Sequence, residues 1–208
     1  MSHPQIQDPA IDHAAISRQV IEIVARALDR SPEDVHPSSK IWSNLGAESL
    51  DMLDIAFSLE SAFGIRLPHT DLLGRASDYF GEENIVQGGA LSEFALELIR
   101  RVMPEFEQKQ LRAGLTPMDF RRAITVESLV QVVIRLLEFK SQLVCPACSA
   151  RFSDSETAPE LECVACGLTQ AYPSGEQALV AGLATAARQI GFPGPPPNTI
   201  ATSADSRP

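Results

Sequence analysis

The sequence predicts a mainly α-helical protein that carries a small cysteine-rich module near its carboxyl end. Apolar residues recur every three or four positions in several segments of the first 140 residues, which is the period of an amphipathic helix. Glycines and prolines interrupt this rhythm, so the helices are expected to be short and joined by loops. All four cysteines fall within residues 145–166, which sets that segment apart from the helical region.

The first two predicted helices lie over residues 15–30 and 49–63. A proline after Ser31 ends the first helix, and Gly64 ends the second. The apolar stripe of the second helix includes Leu50, Leu53 and Phe57.

Three more helices are predicted farther along the chain, over residues 91–103, 125–139 and 177–190. Thr125 is expected to cap the middle one. Ser128 stands where a full capping box would place Glu or Gln, so only a simple cap is predicted.

These elements predict five regions. They are a disordered amino terminus (1–14), a helical domain (15–140) with an insertion (70–123), a zinc-ribbon-like segment (141–175), a last helix (176–191) and a disordered tail (192–208).

The charge distribution bounds the kind of partner. The net charge is −10, and residues 1–90 hold 14 acidic against 6 basic side chains. Such a surface repels nucleic-acid phosphates and favours partners with basic patches. No apolar run is long enough to span a membrane, and the amino terminus lacks the basic and apolar parts of a secretory signal. We therefore expect a cytoplasmic protein.

Ser49 follows a glycine turn at the start of an acidic helix. It could serve only as a helix N-cap, which is the commonest role of a serine in this position. A nucleophilic serine needs a neighbouring base, and no histidine stands in a motif that would supply one. A hydroxyl of this kind is better placed to be modified, because a helix start favours an attached phosphate.

The residues around Ser49 resemble the acyl carrier protein family. The resemblance rests on Leu45-Gly46-Ala47-Glu48-Ser49-Leu50-Asp51 and on Leu53-Asp54-Ile55, Leu59-Glu60, Phe63, Ile65 and Leu67-Pro68. It covers residues 15–68 and resumes over 124–139. It implies an acyl-carrier-like helical bundle with 4′-phosphopantetheine attached to Ser49 by a carrier-protein synthase.

Two features depart from the family pattern. Glu48 stands where the family usually has Asp, and residues 70–123 replace a short third helix. The insertion could cover the pantetheine arm, offer a partner surface or enlarge the core, and the sequence leaves these three roles open.

Acidic residues crowd the start of the second helix beyond what a cap requires. They are expected to dock basic partner enzymes, and they comprise Glu48, Asp51, Asp54 and Glu60.

The cysteines form two C-x-x-C pairs, a pattern suited to one tetrahedral metal ion. The predicted ligands are Cys145, Cys148, Cys163 and Cys166, with 14 residues between the pairs. Zn²⁺ in a closed, structural zinc ribbon is preferred, because four protein ligands leave no position for substrate. Iron in a rubredoxin-like site is the alternative.

The sequence therefore predicts a carrier protein and not an enzyme. Its cargo would be an acyl or aminoacyl thioester, passed from a loading enzyme to downstream transferases of a specialised lipid or secondary-metabolite pathway. The rival interpretation is a zinc-ribbon adapter whose carrier-like domain stays unmodified.

Overall fold

The computed structural model describes residues 11–106 and 110–192. The predicted disordered segments therefore lie largely outside the described residues, at 1–10 and 193–208. The chain forms two compact units. The first runs to His69 and resumes over Phe120–Ala178, and the second contains Thr70–Asp119 and the chain from Leu179.

The mainly helical class is confirmed. In chain order the helices are α1 (His13–Ala27), α2 (Ser49–Phe63), α3 (Leu72–Phe80), α4 (Glu82–Ile85), α5 (Glu93–Val102), α6 (Pro117–Arg122), α7 (Val126–Ser141) and α8 (Gly175–Ile190). The strands are β1 (Val86–Gln87), β2 (Ala90–Leu91), β3 (Phe152–Asp154), β4 (Glu160–Cys163) and β5 (Thr169–Ala171).

In the first unit, α1, α2 and α7 pack around one apolar core. Asp12 opens α1, because its Oδ1 accepts hydrogen bonds from the Ala14 and Ala15 N–H groups at 3.0 Å. The core side chains with no exposed surface include Val20, Val24, Ile55, Leu59, Val126 and Val133. Each large apolar side chain buried in this way contributes about 1.5–3 kcal/mol to folding.

The loop between α1 and α2 is held in place by the start of α7. The Ile41 N–H donates to the Ile124 carbonyl at 3.1 Å, and the Val126 N–H donates to the Ser39 carbonyl at 3.0 Å. From the side of α1, the Arg30 guanidinium donates to the Leu45 carbonyl at 2.9 Å. These bonds fix the backbone that leads into α2.

The expectation of a simple cap at α7 is wrong. Thr125 and Ser128 form a capping box, in which the Ser128 N–H donates to Thr125 Oγ1 and the Thr125 N–H donates to Ser128 Oγ, both at 3.3 Å. The serine hydroxyl is short but accepts the same bond that a Glu carboxylate would accept.

A three-stranded antiparallel sheet, in the order β3-β4-β5, contains the cysteine segment. Phe152 pairs with Cys163, and Leu161 pairs with Gln170. Leu161 is the large apolar side chain that this sheet buries, with 1% of its surface exposed.

The second unit is built from short elements. The strands β1 and β2 form a hairpin whose turn is Gly88-Gly89, and both glycines have positive φ, at 58° and 81°. This conformation favours glycine and matches the twist of a two-residue hairpin. Phe192, which was expected to begin the disordered tail, stacks on Phe94 with 4.1 Å between ring centroids.

Candidate functional site

Ser49 is the first residue of α2, and the N-cap position belongs to Glu48. Glu48 and Asp51 form a capping box, in which the Glu48 N–H donates to Asp51 Oδ2 at 2.7 Å. Gly46 turns the chain into the helix with a φ of 71°, a conformation that favours glycine. The interpretation of Ser49 as an N-cap is therefore wrong.

The Ser49 side chain is exposed. Within residues 11–106 and 110–192, no hydrogen bond involves its hydroxyl. No histidine or lysine of the described chain is thus bonded to it as a base. The site offers an accessible hydroxyl at the start of a helix, where free N–H groups and the helix dipole favour an attached phosphate.

The four acidic residues of α2 and its cap differ in exposure and in the hydrogen bonds that their side chains make. Glu48 and Asp54 are exposed, whereas Asp51 is half-buried and holds the Glu48 N–H. The Glu60 side chain is only 13% exposed, and it accepts hydrogen bonds from the Leu67 N–H at 2.8 Å and the Arg66 guanidinium at 3.2 Å.

An exposed apolar stripe runs along α2 beside Ser49. Leu50, Leu53 and Phe57 expose 77%, 54% and 67% of their surface, while Ile55 and Leu59 face the core. The helical period alone could not separate these two sets, since α2 carries apolar residues on more than one face. The sequence therefore grouped the exposed stripe with core-facing residues.

The four cysteines come together as the sequence predicts. Their Sγ atoms all lie within 4.8 Å of one another. Cys148 Sγ is 3.4 Å from Cys163 Sγ and 3.6 Å from Cys166 Sγ, and the sulfurs of Cys145 and Cys166 are also 3.6 Å apart. A tetrahedral ion with Zn–S bonds of about 2.3 Å holds its ligands about 3.8 Å apart, so the cluster fits such an ion.

The two C-x-x-C turns share one backbone pattern. The Ser149 N–H donates to the Cys145 carbonyl at 2.8 Å, and the Gly167 N–H donates to the Cys163 carbonyl at 3.0 Å. Ser149 and Gly167 both have positive φ, at 61° and 70°. Each turn therefore presents its sulfurs in the same way, although Ser149 adopts a conformation that disfavours residues other than glycine.

One thiol of the cluster is biased towards the thiolate that binds metals. The pKa of Cys163 is lowered to about 6, first because the backbone N–H of Ala165 donates to its sulfur and then because that of Cys166 does so. N–H donors of this kind favour the charged form of the ligand.

Lys140 joins the cysteine segment to the helical bundle, and sequence analysis did not single it out. Its Nζ donates to the Gly64 carbonyl at 2.9 Å and to Asp154 Oδ1 at 2.6 Å. It also lies 4.8 Å from the centre of the Tyr172 ring, within reach of a cation–π contact. Burial, together with the nearby Asp154 carboxylate, raises the pKa of Tyr172.

Among the described residues, no helix combines the length and apolar character needed to cross a bilayer.

Comparison with known proteins points to one family. A family model for the phosphopantetheine attachment site matches residues 18–77. The acyl carrier protein of Syntrophobacter fumaroxidans is 33% identical over 29% of this chain and 75% of its own length. That of Wolinella succinogenes is 39% identical over 26% of this chain and 71% of its own length. No solved structure matches. The chain is thus a carrier with a phosphopantetheine attachment site and not an enzyme, and it belongs to the acyl carrier protein family.

Proposed function

We propose that Ser49 carries 4′-phosphopantetheine and that the arm holds an acyl or aminoacyl group as a thioester. The observation that carries this proposal is an exposed serine hydroxyl, free of hydrogen bonds to described residues, at the start of a helix inside the matched attachment region. The arm would supply a thiol at its far end. The chain itself would supply the serine oxygen and a helix start that stabilises the attached phosphate.

The proposed partners are a carrier-protein synthase, a loading enzyme and downstream transferases with basic docking surfaces. The acidic residues proposed to face them are Glu48, Asp51, Asp54 and Glu60. Glu48 and Asp54 are exposed, so in this proposal they make direct contact. Asp51 and Glu60 are engaged within the chain, so they act chiefly by shaping the helix and adding to its field.

The direct test is incubation of the unmodified protein with a carrier-protein synthase and coenzyme A. Intact mass should show one pantetheine on the wild-type protein and none on Ser49→Ala. Ser61→Ala is the matched control, because Ser61 is an exposed serine on the same helix and should leave modification unchanged. Modification of Ser49→Ala would place the attachment elsewhere.

We also propose that the four cysteines bind Zn²⁺ in a closed, structural zinc ribbon. The support is the pairing of four sulfurs at tetrahedral spacing with two turns of matched backbone geometry. With four protein ligands the ion would have no position for substrate, so its role would be to hold the segment together. A colourless protein with one bound zinc would support this proposal. A red protein with visible absorption would indicate the rubredoxin-like iron alternative.

The ribbon is proposed to serve a dedicated partner, which would place the carrier in a specialised lipid or secondary-metabolite pathway. A cytoplasmic location is proposed with it, because a reducing compartment keeps cysteine ligands available to a metal.

A second candidate is an adapter protein whose carrier-like domain is never modified. The ordered cysteine sheet favours it, since such a module can serve interaction alone. Protein purified from its natural source separates the two candidates, because only a working carrier would bear the pantetheine mass.

A further inference from the structure

We propose that Asp51 is a positioning residue for the modification of Ser49. Its carboxylate would hold the start of α2 so that the serine hydroxyl stays free for the incoming phosphate. The inference deepens the proposed function and depends on Ser49 being the attachment residue.

The first observation is the bond that Asp51 makes. Its Oδ2 lies 2.7 Å from the Glu48 nitrogen, and the side chain is half-buried. Glu48 has extended backbone angles, with φ −105° and ψ 174°, so the helix begins at the next residue. The bond therefore belongs to a helix that starts at Ser49.

The second observation concerns the alternative helix start that this bond opposes, in which Ser49 itself is the N-cap. Serine is among the preferred N-cap residues, and in that position its oxygen accepts a backbone N–H. A helix that began one residue later would place Ser49 at the cap, and its hydroxyl would then be engaged. Such local bonds compete with the helix start that the structure shows. The Asp51 carboxylate favours the helix start at Ser49, in which Glu48 and not Ser49 occupies the N-cap position.

Asp54 provides an internal comparison. It lies three residues farther along α2 and is exposed, and its carboxylate makes no hydrogen bond within the described part of the chain. A docking role depends on charge and would be shared by both aspartates. A positioning role depends on the acceptor oxygen and would belong to Asp51.

The test measures pantetheine transfer by a carrier-protein synthase to four variants. Asp51→Ala removes the acceptor, and Asp51→Asn keeps an acceptor oxygen but removes the charge. Asp54→Ala and Asp54→Asn are the matched pair. Loss of a cap shifts a local equilibrium by about fivefold. We therefore expect kcat to fall by up to about fivefold in Asp51→Ala. In Asp51→Asn, kcat should stay within about twofold of wild type, whereas KM should rise because the charge that Asp51 adds to the docking surface is lost. Both Asp54 variants should instead raise KM to a similar extent.

An equal fall in kcat in Asp51→Ala and Asp51→Asn would overturn the inference, because loss of the negative charge alone would then explain the fall. An Asp51→Ala variant as fast as wild type would overturn it as well.

A second measurement does not require modification. Amide hydrogen exchange of Glu48 in the unmodified protein should be faster in Asp51→Ala than in wild type, and unchanged in Asp54→Ala. Unchanged exchange in Asp51→Ala would overturn this inference while leaving the assignment of Ser49 intact. A wild-type protein that accepts no pantetheine would overturn both.

Discussion

The bundle of α1, α2 and α7 and the cysteine segment of residues 143–173, here termed the ribbon, are stabilised in different ways. The bundle has a continuous core of aliphatic side chains from three helices and the loop before α2. In the ribbon, the buried apolar side chains among the described residues are Cys145, Leu161 and Cys163. Two of these three are proposed metal ligands.

One compact unit thus combines two sources of stability. Apolar burial contributes about 25 cal/mol for each Å² removed from water, so the bundle can fold on its own core. The ribbon exposes most of its residues and gains too little from burial. In our account a bound ion supplies the missing free energy, which reaches about 10 kcal/mol in small zinc-binding domains.

The largest expected effect comes from Cys163→Ser. Loss of one of four ligands should weaken zinc binding by more than about 100-fold, since second-shell changes alone cost 10–100-fold. The ribbon should then unfold while circular dichroism still shows the helices. Ser153→Ala, at an exposed position of β3, is the control and should bind zinc normally. A loss of all helical signal in Cys163→Ser would show that the bundle depends on the metal.

The next effect tests the core of the bundle. Leu59 is fully buried, and Leu59→Ala should lower the free energy of unfolding by about 3 kcal/mol through the cavity it leaves. Phe57→Ala is the matched change on the exposed face of the same helix, and it should stay within about 0.5 kcal/mol of wild type. Urea unfolding followed by circular dichroism measures both. Equal costs would mean that α2 faces the core differently.

A smaller effect is expected where the two regions meet. Lys140→Met removes the bonds to the Gly64 carbonyl and to Asp154, which should cost about 1–2 kcal/mol. Lys40→Met, an exposed control, should cost much less. Thermal unfolding of both proteins, with and without metal, measures this loss of stability. Without metal, Lys140→Met should cost less free energy of unfolding, because the unfolded ribbon no longer places Asp154 beside Lys140. A cost that is independent of metal would make the two regions energetically separate.

The smallest effect distinguishes the two cysteine turns. Ser149→Gly should raise the stability of the zinc-bound ribbon by about 1 kcal/mol, because glycine adopts positive φ without the steric cost. Gly167→Ser should lower it by a similar amount. Chelator titration of the two variants should shift the chelator concentration needed to remove zinc in opposite directions. Shifts in the same direction would contradict the claim that the two turns share one backbone conformation.

The sequence predicted the long helices well, because α1, α2 and α7 each show the helical period over four or five turns. It missed α3, α4 and α6, which are short and lie among glycines and prolines. It also grouped Leu50 and Phe57 with core-facing residues, since periodicity identifies an apolar face but not what covers it.

For the site, the sequence identified the serine and the four cysteines because their local patterns are distinctive. It could not show that Glu48 is the N-cap of α2 and that Asp51 completes the capping box, since Ser49 is itself a preferred N-cap residue. The sequence could not predict the role of Lys140, because its partners Gly64 and Asp154 are 76 and 14 residues away and meet it only in the folded chain.

The most direct test of the account is the mass of the peptide that contains Ser49, taken from protein purified from its natural source. We predict that this peptide carries one phosphopantetheine, with or without an acyl or aminoacyl cargo, and that no other serine is modified. An unmodified Ser49 peptide in protein from cells that contain an active carrier-protein synthase would contradict the central claim.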